Sequence, residues 1–247
     1  MITDQDLRKI KKLTQTYWDK EVRAQEFRAI FAGKEIGHRI ADYVDERTTG
    51  MLEEALPTAR QLDVAGRPRA RSMGDLWVRS NGIFNPINVK AGEAGKNGQP
   101  NMVSLTKLLD ALLRHWIDSY YLLIVKMRLG SLPASVDVPS ARLIPDQIVP
   151  NVYLVDMLDY LDFVTFDAGP GQSMLKEKQF YEAVDSQWTP LGLTIAEKVS
   201  RLIDLLEDGD RRLIENRKKK MERIRADFAY YQKHTSFVVN QEELNLG

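Results

Sequence analysis

An acid, an amide and an amine flank a strong turn signal in this sequence. Asp75 opens the β-prone run Asp75–Ser80, the dipeptide Asn81-Gly82 follows, and the run Ile83–Lys90 ends with Asn88 and Lys90 two residues apart. Asn-Gly between two such runs specifies a two-residue hairpin. Residues two apart in a strand share a sheet face, so Asn88 and Lys90 project together while Ile87 and Val89 face a core. A register that sets them opposite Asp75 brings a carboxylate, an amide carbonyl and an ammonium to one spot. That group suits phosphodiester hydrolysis assisted by a hard divalent cation. Asp75, the Asn88 side-chain oxygen and the Val89 backbone carbonyl would hold Mg2+, which takes oxygen ligands and keeps several waters. Lys90 would orient the attacking water or help deprotonate it. A plainer reading of the same residues is a surface ion pair between Asp75 and Lys90 on an ordinary hairpin, an arrangement worth little energy.

Positioning such a group requires a framework. Leu7, Ile10, Leu13, Tyr17 and Trp18 recur at near-helical spacing, and Ile36, Ile40, Tyr43 and Val44 repeat the pattern after Gly33. Thr48, Thr49 and Gly50 read as punctuation, followed by a short helix at about 51–56 that Pro57 ends. Pro86 lacks a backbone donor and belongs at an edge position or at the start of the regular part of its strand. A loop from Ala91 to Asn101 leads into a helix with Leu105, Leu108, Leu109, Leu112, Leu113 and Trp116 on one face. Tyr120–Met127 reads as a central strand, and Val152–Met157 and Asp162–Phe166 as two more. From about 194 to 234 the pattern is mostly helical, with Gly209 as an interruption. The order spells an α/β (α+β) fold, a mixed β-sheet core with flanking helices and a long C-terminal helix.

The stretch Gly74-Asp75-Leu76-Trp77-Val78, the turn, and Ile87-Asn88-Val89-Lys90 resemble the core motif of the PD-(D/E)XK nuclease superfamily, which includes many type II restriction endonucleases. The resemblance spans about 55 residues, from Gly74 to Met127, with Gly at 74 where Pro is usual and Asn at 88 where Asp or Glu is usual. It implies a restriction-endonuclease-like fold in a single nuclease domain over 1–247, with a catalytic core at about 34–170 and a helical C-terminal region at about 175–247. It also implies an enzyme: a Mg2+-dependent, sequence-specific deoxyribonuclease with Asp75, Asn88 and Lys90 as catalytic residues. Some members draw the missing carboxylate from another element, and Glu35 upstream and Glu93 beyond Lys90 are the candidates. The class implies a homodimer acting on a two-fold DNA target.

Double-stranded DNA also needs cationic and amide contacts. Arg67, Arg69 and Arg71 alternate ahead of the hairpin and would meet phosphates. Lys96, Asn97, Gln99 and Asn101 lie in the glycine-rich loop, where amides can pair with adenine edges; a solvated strand edge and a plain turn are the alternatives. The whole chain of 247 residues balances 35 basic against 35 acidic residues, which argues against a polycation that coats nucleic acid. Residues 51–150 carry 12 basic and 9 acidic side chains, whereas 151–200 carry 3 and 8, so the first stretch suits a polyanion better. With no cysteine there is no disulfide framework or thiolate chemistry, and a reducing, cytoplasmic setting is expected, with no membrane partner. The rival functional class is a non-catalytic DNA-binding or helical interaction protein, which the neutral Asn88 keeps open.

Overall fold

A computed structural model describes residues 3–31, 36–61, 73–80, 83–92, 101–131, 145–186, 189–190 and 192–244. The amphipathic opening segment folds as α1 (Asp4–Glu21), whose N-cap Thr3 accepts the Asp6 N–H at 3.2 Å and which buries Ile10, Thr14 and Trp18. Next come α2 (Gln25–Phe31) and α3 (Ile36–Ala55). The break expected at Thr48–Gly50 is absent, and α3 is one helix. Thr49 turns its hydroxyl back onto the Asp45 carbonyl at 2.8 Å, a bond compatible with helix, and Thr48 Oγ1 accepts the Trp18 indole N–H at 2.9 Å. Both hydroxyls therefore serve the helix rather than ending it.

Beyond α3 lie β1 (Ala59–Arg60), β2 (Leu76–Ser80), β3 (Ile83–Gly92), β4 (Asn101–Ser104), α4 (Leu105–Leu113), β5 (Tyr121–Leu129) and β6 (Ile148–Asp156). They are followed by β7 (Val164–Asp167), β8 (Gln172–Leu175), α5 (Glu177–Asp185) and α6 (Ile195–Leu244). Five strands form a mixed sheet in the order β1-β2-β3-β5-β6, with β3–β5 the parallel pair. A smaller antiparallel sheet runs β4-β8-β7. The chain is thus mixed α+β with a long C-terminal helix. None of the described helices is long and apolar enough to cross a membrane.

Alternation along the strands builds two cores. Leu76, Val78, Ile87, Val89, Leu123 and Val125 pack against Ile10, Trp18, Val44 and Leu52 of α1 and α3. Trp77, Leu122 and Ile124 face the other way, onto Leu108 and Leu112 of α4, Phe180 and Tyr181 of α5, and Leu202 of α6. Both faces are covered, which is why the first part of β5, Tyr121 to Val125, is an unbroken apolar run. Pro86 sits inside β3 without loss. The Ile87 carbonyl accepts the Asp75 N–H, so alternate residues of β3 direct their backbone groups to β2 and the others, Pro86 among them, toward β5. The first β3–β5 pair is Ile87 with Tyr121, so β5 has not begun where Pro86 would have to donate.

Several boundaries depart from the sequence expectation. Ala91 and Gly92 still belong to β3, and Asn101 starts β4 rather than ending a loop. Helix α4 stops at Leu113 and His115 takes φ 55°, so the chain leaves helical phase; Leu113 is 62% exposed and Trp116 50%, outside the core expected for them. Gly209 does not interrupt α6. A Cβ built there would lie 2.3 Å from Phe166 Cδ1, so the glycine lets α6 press against β7. The N-terminal end of α6 is pinned by buried Lys198, which pairs with Asp159 and lies 4.0 Å from Asp156.

Candidate functional site

In the hairpin, Leu76 lies opposite Ile87 and Ser80 opposite Ile83; the connecting Asn81-Gly82 falls outside the described residues. Asp75 stands immediately before β2, anchored at both ends: its N–H donates to the Ile87 carbonyl at 2.9 Å and its Oδ2 accepts the Val89 N–H at 2.8 Å. This register sets Asp75 against Asn88. Asp75 shares the strand phase of Trp77, and Asn88 and Lys90 lie beside Leu122 and Ile124, so all three side chains occupy one sheet face. The N–H and C=O of an extended residue point to the same edge, and the Val89 carbonyl is therefore directed past the start of β2. Gly74 makes the close approach possible, since a Cβ there would come within 2.8 Å of Pro86 Cβ and 3.1 Å of the Ile87 backbone.

These side chains line a cavity of about 670 Å³. Its lining also includes Asp42, Asp45 and Glu46 of α3, Asn101 and Ser104 of β4, Lys107 of α4 and Gln172 of β8. Among the described residues, four carboxylates thus line the cavity with two ammonium groups, a balance that attracts a cation. Lys90 is half-buried and lines the same cavity as Asp75. Among the described residues no three His, Cys, Asp or Glu side chains are grouped tightly enough to hold an ion by themselves. The further donors are oxygens of another kind, the Asn88 carboxamide and the Val89 carbonyl.

Asn88 is buried, and its Nδ2 donates to the Met102 carbonyl at 2.8 Å and to Tyr120 Oη at 2.9 Å. Tyr120 Oη in turn donates to the Met73 carbonyl at 2.9 Å. Burial pushes the Tyr120 phenol far above its ordinary range, and the hydrogen bond from Asn88 opposes this only in part. Asn88 Oδ1 is buried with no hydrogen-bond partner. A carbonyl oxygen left so is costly unless a ligand or water meets it.

The hairpin candidates Asp75, Asn88 and Lys90 line one cavity, as does Asn101, exposed at the start of β4, whereas Val89 packs its side chain in the core and touches Asp75 through its N–H. Glu35, Arg67, Arg69, Arg71, Glu93, Lys96, Asn97 and Gln99 lie outside the described residues. Sequence reasoning passed over Asp42, Asp45 and Glu46, although acids at steps of three and four on the polar face of a helix mark a shared surface. Tyr120 and Lys107 carry no such signal, because only tertiary packing brings them to the hairpin. Neither protein-family models nor curated protein sequences match this chain.

Proposed function

We propose that this protein is a Mg2+-dependent, sequence-specific endonuclease of the type II restriction kind that hydrolyses phosphodiester bonds of double-stranded DNA. One observation carries the reading: Asp75, Asn88 and Lys90 share a sheet face and a cavity to which α3 adds three carboxylates. The donor set fits a hard cation. It consists of oxygens, it is net acidic, and it contains a buried carbonyl oxygen without a partner. Asp75, Asn88 Oδ1 and the Val89 carbonyl would hold Mg2+, with Asp45 or a neighbouring acid of α3 in the role first considered for Glu35. Such an ion, when bound, makes water more acidic and draws charge off the phosphate.

The protein's own groups do the positioning. The Val89 N–H fixes the rotamer of Asp75, and Lys90 projects its ammonium over the same opening, where it orients the attacking water and offsets charge developing on the phosphoryl oxygens. Lys107 and Gln172 at the mouth suit the backbone of a duplex. A homodimer would match a two-fold target, and a cytoplasmic location accords with the absence of cysteine. The second reading, DNA binding without cleavage, draws on the neutral Asn88. Incubating purified protein with plasmid and phage DNA, with and without Mg2+, separates the two. Discrete fragments that require Mg2+ support the nuclease; retarded but uncut DNA supports the binder. Lys90→Ala should lower the cleavage rate by about 10²- to 10⁴-fold with folding intact. Full cutting by that variant would overturn the assignment.

A further inference from the structure

The carboxamide of Asn88 is held by two neighbours that accept from its Nδ2. The Met102 carbonyl carries no proton, and the single proton of Tyr120 Oη goes to the Met73 carbonyl, leaving lone pairs toward residue 88. Rotating the amide would place Oδ1 2.8 Å from another carbonyl oxygen. Its orientation is therefore set, and Oδ1 is turned away from both acceptors, buried and unpartnered, on a residue that is only 5% exposed and lines the acidic cavity.

We infer that this pocket is built for a neutral carboxamide at position 88, with Oδ1 reserved as a ligand for a divalent cation and Tyr120 acting as the positioning residue that fixes the amide. The inference rests on the cation site proposed above, but it departs from the simple view that Asn88 is a weakened carboxylate. An aspartate in the same place would set one carboxylate oxygen against both Met102 O and the Tyr120 Oη lone pairs. It would have to swing out of the pocket, and the added charge is then lost to the ion. Restoring the acid should therefore weaken the site.

Binding of Mn2+ alone, followed by the loss of the free-ion signal in electron paramagnetic resonance, tests this without any need for DNA. Asn88→Asp should bind Mn2+ about tenfold more weakly than the native protein at pH 7. Tyr120→Phe, which keeps the ring and removes the acceptor, should also weaken binding by about tenfold, as loss of a partner behind a metal ligand commonly does. Circular dichroism and thermal melting report whether each variant folds; if the aspartate variant does not, the phenylalanine variant decides. Tighter or equal binding by Asn88→Asp, or unchanged binding by Tyr120→Phe, overturns the amide preference alone. Native protein that takes up no Mn2+, or Asp75→Ala protein that takes up as much, overturns the cation site beneath it.

Discussion

Replacing Gly209 with Ala sets two well-understood effects against each other. In a helix interior alanine is favoured over glycine by about 1 kcal/mol, so a glycine that merely weakened α6 would make the substitution stabilising. Here the new methyl would stand 2.3 Å from Phe166 Cδ1 and 3.2 Å from Cε1, inside the 3.4 Å at which ordinary contact begins. Phe166 is itself buried in the core shared with α4–α6, so moving its ring disturbs that packing. Overpacking of this kind costs about 1–3 kcal/mol, and with a rigid aromatic edge the upper half of that range applies. The expected net effect of Gly209→Ala is destabilisation by about 1–2 kcal/mol, read as a lower urea midpoint at unchanged slope. Phe166→Leu removes the offending ring edge, and in that background the same substitution should approach neutral or become stabilising, leaving a coupling energy of about 1–3 kcal/mol between the sites. A more stable Gly209→Ala single variant, or additive behaviour in the double variant, would refute the close-packing account.

Gln15 reaches from α1 to the edge strand β6, donating to the Pro150 carbonyl at 2.9 Å and accepting the Val152 N–H at 3.0 Å. Gln15→Ala should cost about 1–2 kcal/mol, since two part-buried backbone groups lose partners, and should lower the melting temperature by a few degrees. Asp156 is held by burial at a pKa of about 6, Asp159 pushing the same way and Lys198 opposing. A folded-state value above the unfolded one contributes stability that is present below about pH 4 and lost as the pH rises through about 6. Asp156→Asn keeps an oxygen to accept the Tyr120 and Leu158 N–H groups and removes the titration, so urea midpoints between pH 4 and 6 should fall for the native protein and stay level for the variant. Parallel profiles would show that Asp156 is not the responsible group.

What could be read without coordinates was what depends on near neighbours. Asn81-Gly82 and the alternation on either side identify β2 and β3, and the same alternation puts Asn88 and Lys90 on one face. Failures came where a distant residue decides the meaning of a local one. Thr48 and Gly209 look like breaks until Trp18 and Phe166 are seen to need them. Strands β4 and β8 are short and join through the Ser173 hydroxyl, which donates to the Val103 carbonyl at 3.0 Å across seventy residues of chain. Likewise Asn88 can be named as a candidate, but not the partners that set its amide, because Met102 and Tyr120 meet it only once both sheets are assembled.

The bridge from Gln15 to β6 bears on how copies of this chain can meet. Unclosed sheet borders invite further strands, and proteins usually disarm them by shortening or covering. At one border β1 has two residues; at the other, α1 lies along β6 and an amide side chain occupies backbone groups that an incoming strand would need. Continuation of the five-stranded sheet from one molecule into the next is discouraged at both of its described borders.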